Sequence, residues 1–306
     1  CAALWKATPG VHTHCEIHPA LMHGLLTALI PNVNRNHGVK NTNMTNHMKA
    51  VFHKFSLNFA NRFDALSYRA WNLQTPLMRT PAFDWLEMQH RPHGANLLIA
   101  IATLDGYNQE DAVIFKKSFI ERGGFYGIVS KNIEWKEPST ISSREILVQH
   151  EQRVTSKTTL ATVQQRPLET GLQDHGVVAD IHNEQQRLSF RIYRSETPQV
   201  GDKFCSSHAQ KGTVGQLVPE TELPYVLDSG LTPDVVINPN AIPSRTTTAQ
   251  ITELLYGTAA AVQGKHAREF AFDETNIQQV VETLEQNGIK DAGTTTPRVL
   301  DKRLYR

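Results

Sequence analysis

Cysteine is scarce: three residues in 306, at positions 1, 15 and 205. They are too few and too scattered for a disulfide framework, which fits a reducing compartment. No apolar run approaches the roughly 18 residues that a membrane span requires, so no membrane partner is expected. Neither sign of charge is in excess, with 31 Lys and Arg against 30 Asp and Glu. A polycationic nucleic-acid coat is thereby excluded, and any contact with phosphate must come from a local basic site. The start has no methionine, basic segment or signal-peptide layout, so the sequence reads as a piece of a longer protein. Internal repeats and low-complexity tracts are missing too. What is present is ordinary for a globular protein: 40% hydrophobic and 20% charged residues. The length suits about two domains, or one with an insertion.

Apolar spacing predicts a helix over 19–30, opened by Pro19, with Leu21, Leu25, Leu26 and Leu29 on one face. The asparagine-rich stretch 32–46 reads as an exposed loop. Met48, Val51, Phe52, Phe55, Phe59 and Phe63 place a second helix within 44–71. The run LLIAIATL at 97–104 has the length and branching of a strand buried on both faces, and it ends at the turn signal Asp105-Gly106. Short alternating segments then take over between 126 and 193. Leu188, Phe190 and Ile192 alternate with Arg187, Ser189, Arg191 and Tyr193, as in a half-buried strand of a β-rich subdomain. Two helices follow, over 246–263 with Gly264 at its end, and over 273–286. The second is capped by Asp273, faced by Ile277, Val280, Val281 and Leu284, and ended by Gly288.

Chemistry is concentrated in GDKFCSSHAQKGTVG at 201–215. Glycines there allow a backbone to approach a ligand, and the ammonium groups of Lys203 and Lys211 suit a phosphate chain. A solvated surface loop has the same composition. Glu110 and Asp111 follow the apolar run and its turn, where carboxylates can share Mg²⁺ with substrate phosphates or simply be solvated. Arg245 stands after a proline-bounded turn at a helix start, a suitable anion site. Arg35, Lys40 and Lys49 add cations in a polar stretch. His12, His14, Cys15 and His18 suggest zinc by residue type, but their spacing matches no structural zinc pattern.

Six segments together resemble the second-largest subunit of multisubunit DNA-directed RNA polymerases, in its eukaryotic and archaeal form. They are THCEIHP at 13–19, GYNQED at 106–111, ERG at 121–123, GDK at 201–203, QKGTVG at 210–215 and PDVVINPNAIPSR at 233–245, in the family's order. The resemblance implies an α+β fold. A hybrid-binding region built on a double-psi β-barrel, with helices packed round it, would occupy 1–125 and 198–306, and a β-rich wall or flap would be inserted at 126–197. It also places the histidines at 12–18 in packing, so no zinc is expected.

The implied chemistry is nucleotidyl transfer from NTPs to an RNA 3′ end on a DNA template. By motif, Asp111 would lie at a second Mg²⁺, directly or through water, with Glu110 beside it. Lys203 and Lys211 would face the RNA end, Arg245 and Lys40 the NTP phosphates, and Lys49 nucleic acid. The first metal would come from the largest subunit, since this chain has no Asp-x-Asp-x-Asp. The implied partners are that subunit, other polymerase subunits, template DNA, the RNA–DNA hybrid and NTPs. The implied location is intracellular: nuclear if cellular, host nucleus or cytoplasm if viral. Four positions depart from the family: Lys40 and Ser207 where arginine is usual, Ala209 for glycine, and Asn240 for histidine. Lysine keeps the charge at 40 but loses the bidentate fork. These departures leave a rival reading, a degenerate, non-catalytic module that binds nucleic acid or protein.

Overall fold

The computed structural model describes residues 11, 13, 14, 21, 24–49, 58–62, 64–136, 146–163, 166–171, 174–184, 187–226, 229–272, 276–289 and 299–300. Helices and strands are mixed. The first half holds helices α1 (Leu25–Ala28), α2 (Gly38–Met48), α3 (Pro81–Trp85) and α4 (Lys117–Glu121), with strands β1 (Leu66–Ala70), β2 (Met78–Arg79), β3 (Ile99–Ile101) and β4 (Ala112–Lys116). A run of strands follows: β5 (Gly127–Lys136), β6 (Arg153–Val154), β7 (Thr159–Val163), β8 (Arg166–Glu169), β9 (Gly176–Glu184) and β10 (Arg187–Glu196). The last third has β11 (Lys203–Cys205), β12 (Lys211–Val218), β13 (Tyr225–Val226), β14 (Val235–Ile237), α5 (Thr248–Gln263), β15 (Ala267–Arg268), α6 (Ile277–Gln286) and β16 (Val299–Leu300).

Two five-stranded sheets organise these elements. One has the order β1-β5-β10-β9-β6, so the β-rich middle takes its edge strand from residues 66–70. Its core includes Val178, Leu188, Phe190 and Ile192. Here β10 departs from half-burial, because Ser189 and Arg191 are buried as well. Residues 58–62 cover that second face: the Arg191 guanidinium lies 4.9 Å from the Phe59 ring and donates to the Arg62 carbonyl at 2.6 Å. Asp180 balances its charge at 3.3 Å.

The other sheet, β11-β12-β4-β14-β3, mixes directions: β12 runs parallel to β4, β14 antiparallel to β4, and β3 parallel to β14. The strand buried on both faces is therefore β4, not 97–104. Ile114 joins one core cluster and Phe115 another. By contrast β3 is three residues long at the sheet's edge, with Ile101 40% exposed. An edge position gives it one neighbour, so its apolar run is only partly covered.

Gly215 makes the β4–β12 ladder possible. A Cβ there would stand 2.4 Å from the Tyr107 carbonyl oxygen. The register shifts between Val214 and Gln216, so Val214 and Leu217, three residues apart, pack in the same cluster.

Three helical expectations change. Among the described residues of 19–30, α-helix is seen at Leu25–Ala28, after Gly24 at φ 90°, and Leu25 and Leu26 are exposed rather than forming a buried face. The asparagine stretch is no loop. It forms a 3-10 turn at Val33–Arg35 and helix α2, because its amides serve the fold: Asn32 donates to Glu269 at 2.9 Å, and Asn41 to the Val33 carbonyl at 2.9 Å. Of the second helix expected over part of 44–71, α2 covers 44–48, and Leu66–Ala70 is a strand paired with β5. Val51, Phe52, Phe55 and Phe63 lie outside the described residues. The two C-terminal helices stand as α5 and α6, with Gly264 at φ 65° after α5. Asn276 caps α6, accepting from the Gln279 N–H at 3.0 Å; Asp273 lies outside the described residues.

Gly215→Ala is expected to destabilise the protein by about 1–3 kcal/mol through overpacking against backbone. A urea or thermal unfolding midpoint equal to that of the unaltered chain would contradict the close approach at Tyr107.

Candidate active site

The stretch 201–215 is a hairpin rather than a free loop. β11 and β12 pair antiparallel, with Lys203 opposite Thr213, Phe204 opposite Gly212 and Cys205 opposite Lys211. Side chains alternate across a strand, so Lys203, Cys205, Lys211 and Thr213 share one face. Phe204 turns the other way, into the cluster around Phe115. Gly212 lies on that inner side too, where a Cβ would meet Val113 Cγ1 at 2.6 Å and the Asp111 carbonyl at 2.8 Å. The Thr213 N–H donates to that same carbonyl at 3.0 Å. Both lysines are exposed, so the core places the hairpin and leaves their ammonium groups free to meet a ligand.

Asp111 comes from the turn before β4. Asp105 and Glu110 have φ 48° and 52°, and Gly106 has φ 78°. The turn is pinned from below by Asn108, which is 0% exposed. Its amide donates to the Ala102 carbonyl at 2.7 Å and its carbonyl accepts from the Leu104 N–H at 3.0 Å. Nothing in the sequence pattern singled out Asn108, since one asparagine in a polar turn looks like surface.

Arg245 closes the cluster. It ends the 3-10 turn Pro243–Arg245, three residues before the start of α5. Its Nη2 lies 2.5 Å from Asp111 Oδ1, and Nη1 donates to the Ala241 carbonyl at 3.4 Å. Lys40, on the first turn of α2, is near enough to feel both charges. Partial burial holds its ammonium pKa below the usual lysine range and the Arg245 charge adds to that, while Asp111 opposes it. His47, two helical turns further along α2, was not a candidate from sequence. Burial lowers its pKa, with Lys211 and Lys40 reinforcing the effect, so the ring stays uncharged at neutral pH. The Cys205 thiol is pushed up by burial against the opposing pull of Lys211.

Lys40, Asp111, Lys211 and Arg245 thus converge from four distant stretches of chain. Lys203 shares the hairpin face with Lys211. Among the described residues Lys203, Glu110 and Lys49 make no ion pair, and Lys49 caps the far end of α2. His12, Cys15 and His18 lie outside the described residues. No group of three or more His, Cys, Asp or Glu that could hold a metal occurs among the described residues. No helix among them is long and apolar enough to cross a membrane.

Residues 26–179 and 139–297 match the family RNA polymerase Rpb2, domain 6. The chain is 29% identical to DNA-directed RNA polymerase II subunit 2 of Arabidopsis thaliana, over 92% of its own length and 28% of the relative's. It is 29% identical to subunit RPB2 of Encephalitozoon cuniculi, over 92% and 29% of the two chains. The archaeal subunit Rpo2 of Saccharolobus shibatae is 27% identical, over 93% and 30%. The chain spans less than a third of the length of these relatives. With the polymerase motifs in order and their charged residues gathered at one site, the chain belongs to the Rpb2 domain 6 family, a region of the second-largest RNA polymerase subunit.

Proposed function

We infer that this chain supplies one side of the nucleotidyl-transfer centre of a DNA-dependent RNA polymerase. The single observation carrying the reading is the Arg245–Asp111 ion pair, with the Lys211 hairpin bonded to the Asp111 carbonyl through the Thr213 N–H and Lys40 near enough to feel both charges. Three cations against one carboxylate make a site that favours a polyanion, and they are brought together by the core rather than by sequence proximity. In this reading the five-stranded mixed sheet is part of a double-psi β-barrel in a hybrid-binding region formed by 1–125 and 198–306. Residues 126–197 are the wall or flap. The whole enzyme works inside the cell with a largest subunit, other subunits, template DNA, the RNA–DNA hybrid and NTPs.

The reaction joins the RNA 3′ oxygen to the α-phosphorus of an NTP. The bond from that phosphorus to the bridging oxygen breaks, pyrophosphate leaves, and the 3′-hydroxyl proton passes to solvent. Lys203 and Lys211 hold the RNA end from their shared hairpin face. Arg245 and Lys40 bind the triphosphate and offset the charge that builds on the leaving pyrophosphate. Asp111 is the residue that would hold a shared Mg²⁺, with Glu110 next to it. A single exposed carboxylate fits a cation that keeps water and phosphate oxygens as its other ligands, and it does not fit a site made of protein groups alone. When bound, such a cation neutralises charge on the phosphates. Asp111 holds Arg245 in the absence of substrate, so arriving phosphates take over an arginine that is already oriented. The rival non-catalytic reading rests on Lys40, Ser207 and Asn240; of these only Lys40 belongs to the charged cluster, and lysine there keeps the positive charge.

In a complex purified through this chain, removing the charge of Lys211, Arg245 or Asp111 is expected to slow RNA extension by at least about a hundredfold while assembly survives. Near-normal extension by a Lys203→Ala/Lys211→Ala double variant would sink the reading. Lys40 supplies a second check. The Asp111 carboxylate raises its pKa, so Asp111→Asn should lower that pKa further and increase the free amine at pH 8. Competitive acylation of amines, read by mass spectrometry, is expected to label Lys40 more in Asp111→Asn. Equal or weaker labelling contradicts the proximity.

A further inference from the structure

One buried side chain touches the segments that carry all three cations. His208, 1% exposed, sits at the tip of the β11–β12 hairpin, three residues before Lys211. Its Nδ1 accepts from the Asn36 side-chain amide at 2.9 Å, four residues before Lys40. Its Nε2 lies 2.7 Å from Glu253 Oε2, on α5, the helix that follows Arg245. An amide nitrogen only donates and a carboxylate only accepts, so a neutral ring with its hydrogen on Nε2 satisfies both partners.

The attachments are unequal. The segments of Lys40 and Arg245 are stitched to each other without His208: Asn36 forms a β-bridge with Thr247, and Thr248 Oγ1 donates to the Arg35 carbonyl at 2.5 Å. By side-chain hydrogen bonds the hairpin tip reaches them through His208 and through a longer contact from Ser206 Oγ to Gln250 at 3.4 Å, while Ala209 adds apolar packing against Val33 and Met44 that fixes no direction for Lys211. Ser206 Oγ also accepts from the His208 N–H at 3.2 Å, so the second link is tied to the first.

We propose that His208, gripped between Glu253 and Asn36, is the positioning residue that sets Lys211 against Arg245 and Lys40. It is too buried to meet substrate and acts through Lys211. The inference deepens the polymerase reading and rests on it. Alignment of reacting groups governs rate more than occupancy, and misplacements near 1 Å cost orders of magnitude. The loss should therefore fall on kcat rather than KM.

The test is primer extension by the polymerase complex purified through this chain. His208→Gln is expected to assemble, to lower kcat about tenfold and to leave the KM for NTP nearly unchanged. Added to Lys211→Ala, whose residual extension is followed over long times, the same change should cost less than about twofold, because the group it positions is gone. Glu253→Gln keeps a carbonyl acceptor for Nε2–H and should stay within about twofold of the unaltered rate. Glu253→Ala should reproduce both the loss and its dependence on Lys211, and this pair decides the matter if His208→Gln does not assemble. An active unaltered complex in which these losses are as large without the Lys211 side chain as with it overturns the positioning role alone, as does full activity in Glu253→Ala. An unaltered complex that extends no RNA overturns the polymerase reading, and this inference with it.

Discussion

The parallel ladder between β4 and β12 is the constraint on which the site depends. Residues about a hundred positions apart pair across it, from Thr213 beside Ala112 to Val218 beside Lys116. It forms only because Gly212 and Gly215 present no side chain to Val113 and the Tyr107 carbonyl. Once it forms, the turn bearing Asp111 and the hairpin bearing Lys211 must lie side by side, since the Thr213 N–H is bonded to the Asp111 carbonyl. Lys40 and Arg245 are then added from α2 and from the turn before α5. Charge assembly follows from packing.

Packing also explains why like charges tolerate one another. Val113, Phe115, Phe204 and Val214 fill the inner side of this sheet, while the exposed lysines keep most of their hydration. The cations that lie deeper are matched individually: Arg245 by Asp111, and Lys116, at the far end of β4, by Asp234 at 2.9 Å. Lys40 is depressed first by its partial burial and then by the Arg245 charge, with Asp111 relieving it only in part. A site poised in this way gains most when a polyanion enters, because phosphate then supplies the missing negative charge.

Much of the site was legible before any coordinates. Lys203, Lys211, Asp111 and Arg245 stand out by charge beside glycine or proline, and the polymerase motifs order them. The hairpin was not legible: a strand with one large apolar residue, Phe204, and a glycine facing inward looks like a loop. The same blindness turned 32–46 into a loop, because asparagines that satisfy backbone groups are indistinguishable in sequence from solvated ones. Apolar runs misled in the opposite sense at 97–104, where sheet order, invisible in sequence, left β3 at an edge. His47 and His208 were hidden because their importance lies in neighbours far along the chain, Lys211 for His47 and both Asn36 and Glu253 for His208. The Ala209 departure also reads differently in three dimensions. Its backbone does take φ 56°, which favours glycine, yet its methyl is buried with Met44 and Phe270, and that burial offsets part of the strain.

The central claim is that this chain forms half of a centre where an RNA end meets an NTP. The most direct measurement uses an RNA primer whose 3′-terminal ribose has been oxidised to a dialdehyde, annealed to template DNA in the complex purified through this chain. Borohydride fixes any imine to a lysine, and peptide mapping finds it. The account predicts template-dependent labelling at Lys203 or Lys211. Labelling confined to other lysines, or indifferent to the template, would contradict it.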